Sequence, residues 1–196
     1  AASRANPQGS GNPLMPDNPL NSIRIGTLVP GDKAPAYIEQ IKHLGFESFE
    51  LTFFDDSGAD VDMAKLAADV KKVLEGTDIV ISAVGCYANP LGELEKDARA
   101  RRCWEKLIDH ASDFGCDVVC GFTGRVRGAP VPDSIPRFKE VWEPMAKRAG
   151  DKGVRIAFEN CEMGGNWESG DWNIAHNPAA WELMFDAVDS DVLGLE

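Results

Sequence analysis

FESFELTFFDDSGADVDMAKLAADVKKVL, residues 46–74, reads as one strand, one loop and one helix. Its first nine residues are rich in aromatic side chains, and strand alternation sets Phe49 and Leu51 on one face and Glu50 and Thr52 on the other. Asp55, Asp56, Ser57 and Gly58 end the strand with turn-forming residue types. Met63, Leu66, Val70 and Leu74 then recur at i, i+3, i+7 and i+11, which is one apolar helix face. A strand that passes through a polar loop into such a helix is the unit from which parallel sheets are built.

The unit repeats in both directions. Upstream lies a strand over Ile23–Val29, a turn at Pro30 and Gly31, and a helix predicted to bury Tyr37, Ile38, Ile41 and Leu44 before Gly45 stops it. Downstream, a third strand, Asp78–Val84, leads through the loop from Gly85 to Pro90 into a helix from about Leu94 to Phe114. A fourth, Asp117–Phe122, precedes a loop with Arg125, Arg127 and three prolines, then a helix over Ile135–Ala149 that Pro144 is expected to kink. The fifth, Val154–Asn160, opens a long loop containing Gly164, Gly165, Trp167, Gly170 and Trp172, and a short helix carries Ala180, Leu183, Met184 and Ala187. A sixth strand begins at Val192 and holds Leu195 and Glu196. Helix-to-strand turns are brief, whereas the loops after strands three, four and five are long and rich in functional residue types, the asymmetry of a (β/α)8 barrel whose strand C-termini carry the site. An open doubly wound sheet is the competitor, but the turn Val29-Pro30-Gly31-Asp32 is no phosphate cradle. The expectation is an N-terminal arm over residues 1–21, rich in Pro, Gly, Asn and Ser, followed by a barrel domain over 22–196 that reaches only the start of strand six. Closing it would take further polypeptide.

With 196 residues, 43% of them hydrophobic, the chain can bury one substantial core. A net charge of -12 disfavours phosphate backbones and anionic membrane surfaces and suits a neutral small molecule or a cation. Five cysteines in no metal-binding spacing read as reduced, buried thiols, and neither a long apolar run nor a signal-peptide pattern is found. The reading is a cytoplasmic protein with no nucleic-acid or membrane partner, and a homo-oligomer is compatible with it.

Glu159 closes the apolar run Val154-Arg155-Ile156-Ala157-Phe158 at the expected functional end of strand five. A carboxylate there calls for a partner: a hard divalent cation, or a structural ion pair with Arg125 or Arg127. Glu50 repeats the pattern on strand two, as a site carboxylate or part of a buried network. Asn89, in Cys86-Tyr87-Ala88-Asn89-Pro90-Leu91, offers an amide to a polyol or simply makes a turn. Trp167 and Trp172 are sugar-stacking faces or loop anchors, and His176 a substrate contact or a satisfied loop histidine beside the N-cap Asn177 and Pro178. His43 and His110 fall on helices remote from the site, and Arg125 and Arg127 read as solvated rather than phosphate-binding.

Ile25-Gly26-Thr27, Gly45-Phe46-Glu47-Ser48-Phe49-Glu50-Leu51 and Phe158-Glu159-Asn160 resemble the xylose isomerase-like TIM-barrel family. The stretches 159–165 and 170–178 look like its sugar phosphate isomerase/epimerase branch. The resemblance implies one divalent metal, Mn or Mg, held by a strand-five Glu, an acidic residue on strand six, a His on strand seven and a Glu on strand eight. Glu159 matches the first ligand and is the expected acid/base. The strand-six ligand is expected about two residues past Glu196, with a His shortly after it. The implied enzyme is a metal-dependent sugar isomerase or epimerase that abstracts a proton beside a carbonyl through an enediolate. The same barrel also serves metal-dependent lyases, dehydratases and glycoside-processing enzymes, and a metal-free sugar-binding module is the alternative from outside enzymology.

Overall fold

The computed structural model describes residues 23–55 and 57–196, so the expected N-terminal arm lies outside the described residues. Six strands form one sheet: β1 (Gly26–Pro30), β2 (Ser48–Phe54), β3 (Val80–Tyr87), β4 (Val118–Gly121), β5 (Arg155–Phe158) and β6 (Leu193–Leu195). Five α-helices alternate with them: α1 (Ala34–Ile41), α2 (Met63–Leu74), α3 (Glu95–Phe114), α4 (Val131–Lys152) and α5 (Pro178–Ala187). The strand order is β1-β2-β3-β4-β5-β6 and all neighbours are parallel. An open doubly wound sheet would reverse its order about a switch point. Sequential winding with each helix packed on the next instead makes this a part of a (β/α)8 barrel.

Alternation decides which side chains feed the core. Phe49, Leu51 and Phe53 of β2, Val84 and Cys86 of β3, Val119 of β4 and Ile156 and Phe158 of β5 turn outward under the helices and are fully or almost fully buried. The densest packing is aromatic: the ring of Phe158 meets Trp142 edge to face at 4.7 Å and Phe138 at 5.8 Å, and Trp142 meets Trp104 at 4.8 Å. These contacts fix β5 against α4, and with Phe158 anchored outward the next side chain, Glu159, must point the other way.

The elements differ from expectation at their ends. Leu44 is 61% exposed because α1 stops at Ile41, Tyr37 within the helix is 41% exposed, and only Ile38 of the predicted quartet is fully buried. β3 runs to Tyr87, which moves that phenol from loop to strand. α4 begins at Val131 and continues through both Pro136 and Pro144. All five cysteines are free; Cys86, Cys103 and Cys120 are buried. His110 lies on α3 beside Asp113, while His43 sits in the turn after α1. No helix among the described residues is long and apolar enough to cross a membrane.

Candidate active site

Glu159 follows β5 at the C-terminal end of the sheet, where its amide still bonds the Gly121 carbonyl at 2.9 Å. Phe158 is registered against Leu195, which places Glu159 beside Glu196 on the neighbouring strand. Both arginines offered by the sequence as ion-pair partners are committed elsewhere. Arg127 makes a two-pronged pair with Asp97, both bonds 2.6 Å. Arg125, far from being solvated, is wholly buried and gives its guanidinium to the carbonyls of Ala129, Asn166 and Trp167 at 2.6–3.2 Å. Among the described residues no cation or hydrogen-bond donor meets the Glu159 carboxylate.

Beneath it lies a polar cluster on the inner face of the sheet. Tyr87 Oη donates to Glu50 Oε1 at 2.5 Å and lies 3.5 Å from Glu196 Oε2, and Cys120 Sγ donates to Glu50 Oε1 at 3.3 Å. Donor atoms of Glu50, Cys120 and Glu196 all lie within 4.8 Å of one another. Burial holds the Tyr87 phenol and the Cys120 thiol protonated, so both act as donors to Glu50. Loss of water around the Glu196 carboxyl, then the charges of Glu50 and Glu159, push it up to about 8. A Glu196 carboxyl driven to retain its proton at neutral pH marks a donor set that lacks positive charge, the chemistry that suits a hard divalent ion.

The rim is built by side-chain amides. Asn173, 1% exposed, accepts from the Thr123 amide at 3.1 Å and hydroxyl at 2.5 Å, and donates to the carbonyls of Glu159 and Cys161, both at 2.8 Å. It therefore ties the end of β4 to the end of β5 and fixes the backbone that carries Glu159. Asn89 does the same one strand earlier: its NH2 donates to the carbonyls of Arg125 and Asp171 at 2.7 Å, and its oxygen accepts from the amides of Leu91 and Arg125. With both hydrogens engaged, Asn89 has none left for a sugar and serves as a clamp.

The other expected contacts divide. Trp167 packs against the core and lends its carbonyl to Val131 and Arg125, as an anchor would. Trp172 is half-buried with Lys96 Nζ 5.4 Å from its ring centroid. The His176 side chain is 3% exposed, and the Asn177 amide lies 3.2 Å from its Nδ1. Because Asn177 Oδ1 already caps α5 through the Ala180 amide, its NH2 faces the ring; Nδ1 is then the acceptor and Nε2 carries the hydrogen. That Nε2 is buried with no partner among the described residues, and burial lowers the histidine's pKa, so it is neutral beside Glu162 at 3.9 Å. The sequence reading did not single out Asn173, nor the aromatic wall of Phe54, Tyr87 and Phe122. Successive rings of that wall stand 5.2 Å apart. Strand alternation from Glu50 through Thr52 to Phe54 was the available signal.

The family described as xylose isomerase-like TIM barrel matches residues 38–196. Solved structures agree in fold. A xylose isomerase-like TIM barrel protein from Mycobacterium smegmatis, in complex with magnesium, superposes with a TM-score of 0.66 at 16% identity, over 90% of this chain and 64% of its own. D-allulose 3-epimerase from Methylomonas sp., in complex with D-allulose, gives 0.65 at 18% identity, over 88% of this chain and 61% of its own. An L-ribulose 3-epimerase gives 0.62 at 20% identity, over 88% and 59%. The chain thus spans 59–64% of the length of these structures. No curated protein matches it.

Proposed function

The chain belongs to the xylose isomerase-like TIM barrel family, and from that premise we propose that it is a sugar isomerase or epimerase that abstracts a proton from the carbon beside a carbonyl, with Glu159 as the base and a divalent ion, Mn or Mg, as cofactor. The observation that carries the reading is the solitary carboxylate of Glu159. It is held at the catalytic end of the sheet by Asn173, and both nearby arginines are spent on other partners. A carboxylate so placed has a role only toward a cation or a substrate.

The residues present fit a divalent ion: Glu159 would bind it, with the neighbouring Glu196 carboxyl within the same acidic donor set as Glu50. When bound, the ion supplies electrophilic stabilisation of the negative charge that grows on a substrate carbonyl oxygen. Glu159 would take the proton, and the Asn173 grip on its carbonyl would hold it in line. The exposed ring of Phe54, backed by the buried Tyr87 and Phe122, would offer a face to the apolar C–H side of a sugar, with Trp172 as a further contact. Glu50, hydrogen-bonded to Tyr87 and Cys120, would keep the floor polar and fix the phenol.

The test is solvent-exchange labelling: ketoses and aldoses are incubated with the protein in deuterated buffer, with Mn or Mg and then with chelator. Metal-dependent deuteration beside the carbonyl is expected. Tight sugar binding with no exchange under any metal would replace this reading with a sugar-binding module.

A further inference from the structure

On the outer surface, α3 and α4 enclose a cleft of about 330 Å3 lined by Arg101, Glu105, Arg137, Glu140 and Arg148 among others. Three arginines converge there in a chain whose net charge is -12. Two of them have carboxylate partners: Arg148 pairs with Asp109 at 2.5 Å and Arg137 with the exposed Glu140 at 2.7 Å. Arg101 has none among the described residues. Its Nη1 donates to the carbonyls of Pro90 and Gly92, and its Nε and Nη2 donate to nothing described. Arg137 gives its Nε to the Leu91 carbonyl and keeps Nη2 unused. Loss of water and, next, the adjacent charge of Arg137 lower the pKa of Arg101. Two guanidinium groups thus line one cleft, each with a donor that no described residue takes, while the carboxylates of Glu105 and Glu140 line the same cleft and only partly offset the burial of Arg101.

We propose that this cleft binds a phosphate group between Arg101 and Arg137, delivered by a phosphorylated metabolite or as inorganic phosphate. Planar guanidinium forks match phosphate oxygens in pairs, and a dianion that takes the place of the exposed Glu140 carboxylate on Arg137 would meet both forks at once. The position gives the ligand a route to the rim: both arginines hold the carbonyls of residues 90–92, and Asn89, next in the chain, clamps Arg125 and Asp171. The inference does not depend on the activity proposed above.

Titration calorimetry of the full chain with inorganic phosphate, and separately with fructose 6-phosphate, at constant ionic strength, tests it. One-to-one binding is expected, weakened about tenfold or more by Arg101→Gln and by Arg137→Gln, since each loses a charged fork. Because Arg101 also supports the loop, Glu140→Gln provides the second test: on the exposed face of α4 it removes the carboxylate that competes for Arg137, and affinity should rise several-fold. Tighter binding of the sugar phosphate would identify the phosphomonoester as the source, and equal or tighter binding of inorganic phosphate the free ion. Unchanged affinity in both Arg137→Gln and Glu140→Gln, no binding by wild type up to roughly 10 mM, or loss of binding in Glu159→Gln, which would locate the ligand at the sheet end instead, would each overturn the proposal.

Discussion

Replacing Glu159 by Gln keeps the shape of the side chain and removes its charge, so the aromatic packing around Phe158 that orients it should be undisturbed. The expected outcome is an unchanged thermal melt with turnover lowered at least about 10³-fold, the loss typical of an essential base. Normal exchange kinetics in the variant would remove Glu159 from the mechanism. Asn173 makes the opposite kind of prediction. Its amide is buried and serves five backbone and side-chain groups, so Asn173→Ala leaves the Thr123 amide and the Cys161 carbonyl without partners and takes one bond each from the Thr123 hydroxyl and the Glu159 carbonyl. A stability loss of about 3 kcal/mol is expected from these unmet groups, read as a lower urea midpoint. Neither role could be read fully from the residues. Glu159 was legible because a lone acid ending an apolar strand is a local pattern. The Asn173 role was not, because Cys161, Glu159 and Thr123, which it joins, lie 12 to 50 positions away in the chain.

Between elements, Asp97 of α3 and Arg127 of the loop after β4 form the ion pair with the most deeply buried carboxylate among the described residues. Burial alone would raise the Asp97 carboxyl, but the Arg127 fork and the Leu94 amide outweigh it, and its pKa lies below the usual carboxylate value. The two groups close over Gly92, where even a methyl group would collide with the carboxylate at 2.1 Å. A carboxyl whose pKa is depressed on folding contributes stability that is fully present above its unfolded pKa of about 3.9 and fades as pH falls through the folded one. Asp97→Asn should therefore cost about 2 kcal/mol near neutral pH, and the gap to wild type should narrow as urea melts are carried below about pH 4. A gap constant from pH 7 to pH 3 would mean that the pair does not act through charge. At this scale the sequence was legible where the signal was periodic. The face of Phe49, Glu50, Leu51 and Thr52 follows from alternation, and the α2 stripe from helical spacing. Leu44 failed because periodicity names a face without saying where α1 stops, and Tyr37 because it sits at the edge of the face whose centre is Ile38. Arg125 failed because a buried guanidinium satisfied only by carbonyls depends on how the β4 and β5 loops meet.

Across the whole molecule, six parallel strands in sequential order bring Glu50, Cys120, Glu159 and Glu196 to one face from strands that lie far apart in the chain. That convergence removes water and places like charges together, and Glu196 shows both: loss of water first, then the charges of Glu50 and Glu159, make its carboxyl hold its proton up to about 8. A cation bound to the folded form alone stabilises it by mass action, about 2.7 kcal/mol at one hundred times its dissociation constant. For a chain of this size the corresponding rise in melting temperature is roughly 5–10 °C. The prediction is that Mn or Mg produces such a rise, that chelator reverses it, and that Glu159→Gln abolishes most of it while leaving the metal-free melt where it was. A monovalent salt at matched ionic strength separates specific binding from general screening, since it screens carboxylate repulsion without binding the site. A melt indifferent to Mn and Mg in the wild type would remove the cofactor from the proposed chemistry. It would leave the solitary carboxylate of Glu159 facing a sugar directly, in a binding module that shares the barrel.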